Sequence, residues 1–262
     1  MDLGLKGKRA LVLASSQGLG LAVATSLVQE GAHVVISGRS ADKLADVAKT
    51  LNALGAGKAD FVEADLSARD CAENLYKAAT AILGQVDILV NNTGGPPPGT
   101  TTAPDSDTWR LYFDTMILRV MEMTNLCLPD MQANKWGRVL TLASSGVEQP
   151  IPNLAMSNTL RSSLVGWSKS LSNEVAKDGI TVNMQVPGRV KTARLDQLDG
   201  GNAERSGRTI EEVREANFSQ IPVGRYGRVE EFGDLATFLV SERASYVNGS
   251  VIRCDGGATK GI

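Results

Sequence analysis

The chain has 262 residues, 42% of them hydrophobic and 21% charged, enough for one sizeable core. Its 27 basic and 29 acidic residues leave a net charge of −2, which gives no field to recruit nucleic acid or an anionic membrane, and no apolar run reaches membrane-spanning length. The three cysteines, Cys71, Cys127 and Cys254, form no Cys-x-x-Cys pair, and residues 1–6 lack a signal-peptide profile, so the expectation is a cytoplasmic protein with reduced thiols.

Arg9 to Ala14 is a short apolar run, followed by Ser15-Ser16-Gln17-Gly18-Leu19-Gly20. Leu21 to Glu30 carries Leu21, Ala24, Leu27 and Val28 at helical spacing and stops at Gly31, and His33 to Ser37 is a second apolar run. The order predicts strand, glycine turn, helix, strand. The alternation continues with a helix over 41–54, a strand over 59–63 and a helix over 68–83. Next come a strand over 86–91, a long helix over 107–134 capped by Asp107, and a strand over 137–142. A helix over 153–177, a strand over 180–185, a helix over 229–241 and a last strand over 250–254 complete the pattern. Seven strands alternating with helices predict an α/β, Rossmann-type doubly wound fold, a single domain over 1–262 with one parallel sheet covered on both faces. His33, the only histidine, starts a strand far from every motif. It reads as structural, and with no cysteine cluster a metal site is not expected.

Two segments interrupt the alternation. Gly94-Gly95-Pro96-Pro97-Pro98-Gly99 is a stiff loop after the fourth strand, and residues 192–221 form a long connection with a short helix over 209–218, read as a substrate lid. Both leave the carboxyl ends of strands, where open α/β sheets bind ligands.

A helix start directly after a first strand offers free N–H groups and a positive dipole end, and Gly18 and Gly20 let a pyrophosphate approach that backbone. An acidic residue closing the second strand would bind both ribose hydroxyls and repel a 2′-phosphate. Here that place is Gly38, followed by Arg39, which favours NADP(H) over NAD(H).

Residues 7–257 resemble the short-chain dehydrogenase/reductase superfamily, in particular its 3-oxoacyl-acyl-carrier-protein reductase-like members. The family Thr-Gly-x-x-x-Gly-x-Gly aligns with residues 13–20, where Leu13 and Ala14 replace Thr and the first Gly. Asp65-Leu66 matches the adenine-contacting pair, and Asn91-Asn92-Thr93-Gly94 is similar to Asn-Asn-Ala-Gly. Pro187, Gly188, Val190 and Thr192 fall in the loop that touches the nicotinamide carboxamide, and Asp255-Gly256-Gly257 matches the close of the fold. The resemblance thus implies that Ser15, Ser16, Gln17, Gly18, Leu19, Gly20, Arg39, Asp65, Leu66, Asn91, Thr93, Gly94, Arg161 and the 187–192 loop hold the cofactor.

The resemblance also exposes a change. The family Ser is Ser144, but the Tyr and Lys places are Ser157 and Arg161, and the Asn place is Met116. The spacing to Gly166, Lys169-Ser170-Leu171 and Pro187-Gly188 fixes this register. An alkyl hydroxyl is a far poorer acid than a phenol, which titrates near pH ~10. A guanidinium trades no proton, and a thioether joins no water relay. Glu148 and Tyr112 are the nearest other acids in the sequence.

Three readings follow. The preferred one is an NADP(H)-dependent oxidoreductase acting on a small molecule through Ser144, Ser157 and Arg161 with altered proton delivery. The others are a nucleotide-binding protein without turnover, acting as sensor or partner subunit, and a reductase of polarised C=C bonds. Arg189, Lys191 and Arg194 at the lid edge face an anionic substrate, a cofactor phosphate or only solvent. Family analogy implies a homo-oligomer, tetramer or dimer, through the two long helices and the last strand, with Leu111, Leu118, Leu164 and Trp167 suited equally to such faces or to a core.

Overall fold

The computed structural model describes residues 1–261. It contains one seven-stranded sheet, ordered β3-β2-β1-β4-β5-β6-β7, in which every strand pair is parallel. The strands are β1 Arg9–Val12, β2 His33–Gly38, β3 Lys58–Glu63, β4 Ile88–Asn91, β5 Gly137–Leu142, β6 Ile180–Pro187 and β7 Val251–Cys254. The helices are α1 Gly18–Gln29, α2 Ala41–Asn52, α3 Cys71–Leu83, α4 Ser106–Phe113, α5 Arg119–Ala133, α6 Ala155–Val175, α7 Ala193–Ser206, α8 Ile210–Phe218 and α9 Val229–Leu239. This is the α/β Rossmann-type architecture expected from the alternation.

Side chains on a strand alternate faces, and here both faces are apolar. Ala10, Val12, Val34, Ile36, Ile88 and Val90 pack with Val23, Leu27 and Phe232 from α1 and α9. Leu11, Leu13, Val35, Leu89, Val139 and Val182 pack on the opposite side with Leu75, Met123 and Leu171 from α3, α5 and α6. A third cluster, with Met116, Ala143, Met156, Leu160, Leu164, Met184 and Val186, lies beneath the ends of β5 and β6. His33 is structural as expected: its Nε2 lies 2.7 Å from Asp60 Oδ2 on the neighbouring strand. Cys71, Cys127 and Cys254 are free thiols. Among the described residues, no helix is long and apolar enough to cross a membrane.

Four expectations need correction. The cap of α4 is Asp105, not Asp107: Asp105 Oδ1 accepts from Thr108 N at 2.8 Å, while Asp107 sits in the first turn and pairs with Arg110. An N-cap carboxylate accepts from an N–H two or three residues further on, and Asp105 does so with Thr108. The long helix over 107–134 is not continuous, because Asp114–Leu118 widens into a π turn between α4 and α5. The lid holds two helices rather than one. Asn153 adopts φ +60° outside α6, so that helix begins at Ala155. Of the residues suggested for an interface, Leu111 is 50% exposed, whereas Leu164 is core and Trp167 packs against two core clusters.

Candidate active site

Strand order reverses direction at β1, between β2 and β4, the place at the carboxyl ends of the strands where open α/β sheets bind ligands. The glycine turn follows β1. Gly18 has φ +62°, a left-handed conformation that glycine adopts without strain. A Cβ on Gly20 would lie 3.0 Å from Ser15 Cα and 2.7 Å from Asn92 Nδ2, so only glycine lets α1 start so close to the turn. Gln17 caps α1 without a side-chain hydrogen bond, and the first turn contains no acidic residue. The amino-terminal N–H groups of a twelve-residue helix are therefore free to face an anion. This arrangement fits a dinucleotide pyrophosphate.

Ala14, in the place of the family's first glycine, adopts φ +46°. An L-residue pays about 1–2 kcal/mol for that conformation. The turn is held there from two sides: Asn92 Nδ2 donates to Ala14 O at 3.0 Å, and Ala14 N donates to Ser37 Oγ at 3.3 Å. Ser15 is fully buried, and its hydroxyl donates to Val12 O (2.7 Å) and accepts from Ser37 N (3.1 Å). Its side chain therefore fastens the turn to β2. Leu19 packs on the core.

At the tip of β2, a Cβ on Gly38 would meet Ser16 Oγ at 3.3 Å, which leaves little room for a carboxylate side chain. Arg39 is exposed and forms no ion pair among the described residues, and Lys43 Nζ donates to Gln17 Oε1. Lys43 was not singled out in the sequence. The available signal was its place three residues after Ser40, whose side chain caps α2, so that it reaches back toward the glycine turn. Asp65 is held below its ordinary value, first by the hydrogen bond from Ser67 N at 3.0 Å and also by the charge of Arg39. Leu66 beside it is half-buried.

Asn91 is buried. Its Nδ2 donates to Thr124 Oγ1 at 3.0 Å, and its Oδ1 has no partner among the described residues. Thr192 caps α7, its Oγ1 accepting from Leu195 N at 3.3 Å, and its methyl stands 4.0 Å from a Cβ built on Gly18. A Cβ on Gly188 would lie 2.5 Å from Asp255 Cα, which accounts for glycine after Pro187. Val190 is buried, and its flanking residues pin the loop: Gly227 N donates to Arg189 O and Lys191 N to Gly227 O, both at 2.9 Å.

Ser144 follows β5, with its Oγ accepting from Gly146 N at 3.1 Å. On α6, Met156, Leu160 and Leu164 point into the third core cluster. That burial turns Ser157 and Arg161, one turn apart, to a neighbouring helix face together. Arg161 donates to Leu142 O (3.3 Å), Thr93 O (3.3 Å) and Gly94 O (3.4 Å), the carbonyls that end β5 and follow β4. Burial, reinforced by the like charge of Arg194, pushes its guanidinium down to about 10, still protonated at neutral pH. Arg194 Nη2 donates to Pro96 O at 3.2 Å.

Met116 lies in the π turn at 1% exposure, within the third cluster. The relay place is thus filled by apolar packing. Of the two alternative acids, Glu148 is ion-paired with Arg253 on β7, and Tyr112 packs against the third cluster.

Parallel strands, a glycine turn under a helix start and a serine at the end of β5 define a Rossmann-type oxidoreductase fold. The family model described as enoyl-(acyl carrier protein) reductase matches residues 13–259, and the chain belongs to the short-chain dehydrogenase/reductase superfamily. It is 31% identical over 257 residues to the 3-oxoacyl-[acyl-carrier-protein] reductase FabG of Salmonella typhimurium, covering 97% of this chain and 98% of that one. It is also 31% identical over 267 residues to the oxidoreductase YvrD of Bacillus subtilis, covering 100% of both. The crystal structure of L-sorbose reductase from Gluconobacter frateurii, complexed with NADPH and L-sorbose, superposes with a TM-score of 0.94 at 29% identity over the whole of both chains.

Proposed function

We propose that this protein is an NADP(H)-dependent oxidoreductase of a small carbonyl substrate in which the proton reaches the product from water rather than from a phenol. The observation that carries the reading is the set of groups at the carboxyl ends of the strands: an anion-ready glycine turn, Arg39 and Lys43 after a β2 that ends in Gly38 rather than in an acid, and Ser144 after β5. NADPH-bound relatives of the same fold support the cofactor assignment. In this reading, Arg39 and Lys43 hold the 2′-phosphate, with NAD(H) bound more weakly. Asp65, Leu66, Asn91, Thr93 and Gly94 surround the adenosine half. Pro187, Gly188, Val190 and Thr192 flank the nicotinamide half.

When bound, the reduced nicotinamide supplies a hydride to the substrate carbon. The Ser144 hydroxyl donates to the carbonyl oxygen and polarises it. Arg161 places a fixed positive charge beside that oxygen as negative charge develops. Ser157, much smaller than a phenol, leaves room for a water, which its hydroxyl orients and from which the oxygen takes its proton. Losing a positioned acid costs typically ~10²–10⁴-fold, so the expected turnover is slow. We also propose one domain over 1–262 with 192–221 as lid, and a homo-oligomer in the cytoplasm.

A second reading, cofactor binding without turnover, is favoured by the buried Met116 and by an arginine that cannot trade protons. NADPH titration beside turnover on a panel of ketones, enones and 3-oxoacyl thioesters separates the two. Ketone-dependent NADPH oxidation supports the oxidoreductase, and tight binding with no turnover supports the sensor.

A further inference from the structure

The Ser144 hydroxyl is held by one contact, and that contact decides what the hydroxyl can still do. Its Oγ accepts from Gly146 N at 3.1 Å, and among the described residues no acceptor takes its hydrogen. One lone pair is engaged, and the O–H remains for an acceptor from outside. Whatever fixes Gly146 therefore fixes Ser144 as a donor.

Gly146 is buried, and the side chain that closes on it comes from the first turn of α6. A Cβ on Gly146 would lie 2.2 Å from Asn158 Oδ1, 3.2 Å from Asn158 Cγ and 3.4 Å from Ser144 Oγ. The amide, the glycine and the hydroxyl thus share one corner with no room for a methyl. Asn158 is fastened at a second point as well. Its Nδ2 donates to Ile151 O at 3.0 Å, and its Oδ1 accepts from Ile151 N at 3.3 Å. Its own N–H donates to Leu154 O at 2.8 Å, which anchors the residue to the start of the helix. One amide side chain therefore spans the loop after β5, from Gly146 to Ile151.

We propose that Asn158 is a positioning residue for Ser144: its amide holds Gly146 in place, the Gly146 N–H engages the Ser144 oxygen, and the hydroxyl hydrogen is left for the substrate carbonyl. The substrate part rests on the oxidoreductase reading, but the hold on Gly146 is measurable without it. Without the amide, the loop relaxes and the hydroxyl turns away, while the glycine turn that faces the cofactor is untouched.

The test is hydrogen exchange at the Gly146 amide, read by NMR in protein whose glycines carry nitrogen-15, for the wild type, Asn158→Ala, Ser144→Ala and the double variant. Gly146 exchange should quicken at least tenfold in each single variant and no further in the double variant, because both act on one hydrogen bond. Gly20 in α1 and Gly233 in α9 should keep their wild-type rates. If Asn158→Ala also speeds those two, Asn158→Asp, which removes only the Nδ2 donor, takes its place with the same expectation. Unchanged Gly146 exchange, or losses that add in the double variant, overturns the proposal. With a ketone that the wild type reduces, Asn158→Ala should lower kcat at least tenfold and leave the KM for NADPH within twofold, and an unchanged kcat overturns the positioning role. If the wild type reduces no carbonyl compound, the oxidoreductase reading fails, and Gly146 exchange alone decides whether Asn158 holds Ser144.

Discussion

Ala14 carries a strain that the family glycine would not. Replacing it removes about 1–2 kcal/mol of left-handed penalty, while glycine returns about 0.4–1 kcal/mol of unfolded-chain entropy. Ala14→Gly is therefore expected to stabilise the fold by about 0.5–1 kcal/mol in chemical denaturation, and to tighten NADPH binding by relaxing the turn. At the catalytic place, the combined variant Met116→Asn, Ser157→Tyr and Arg161→Lys restores a phenol, an ammonium and a relay amide. Steady-state ketone reduction should rise by tenfold or more, and no rise would count against the assignment of these positions. Most of the site could be read at this scale, because Gly18, Gly20, Asn91, Ser144, Ser157, Arg161 and Thr192 sit at fixed spacings from strand ends. What a linear chain does not reveal is how a side chain is spent. Ser15 looked available for cofactor but is consumed stitching β1 to β2, and the approach of Lys43 to Gln17 depends on the angle between two helices.

The lid shows how elements depend on partners distant in sequence. Asp199-Gly200-Gly201-Asn202 reads as a helix breaker, yet it lies inside α7. Asp199 is 2% exposed, and its carboxylate accepts from Tyr226 Oη at 2.8 Å and from Asn217 Nδ2 at 3.1 Å, tying α7 to α8 and to the segment before α9. Burial, together with the neighbouring Asp199, raises the Tyr226 phenol, so it stays a donor at neutral pH. Tyr226→Phe leaves one carboxylate oxygen short of its hydroxyl donor, at a cost of roughly 1–2 kcal/mol. Amide exchange across 193–218 should quicken about tenfold while α1 and β1 are unchanged. A second element-scale prediction concerns α9, where Glu231 accepts from Arg225 and from Arg228 N, contacts that hold it down at about 2. Because the folded value lies below the usual 4.5, the stabilisation is full above about pH 4.5 and is lost as pH falls toward 2. Glu231→Gln should flatten that limb of a stability-versus-pH curve.

For the molecule as a whole, the alternation of apolar runs with helical periods was enough to foretell all seven strands and the parallel sheet, since a doubly covered sheet requires continuous apolar strands. The strand order and the third core cluster beneath Ser144 were not legible, because they arise from pairings that no single segment encodes. The central claim is that the carboxyl end of the sheet binds NADP(H) through cations at the tip of β2, opposite a site where Ser157 stands in the place of the family Tyr. The most direct measurement is calorimetric titration of the protein with NADPH and with NADH, repeated on Arg39→Ala and Lys43→Ala. We predict one NADPH per chain, bound at least tenfold more tightly than NADH, with that preference collapsing in both variants. No binding of either nucleotide, or NADH binding as tightly as NADPH, would contradict it.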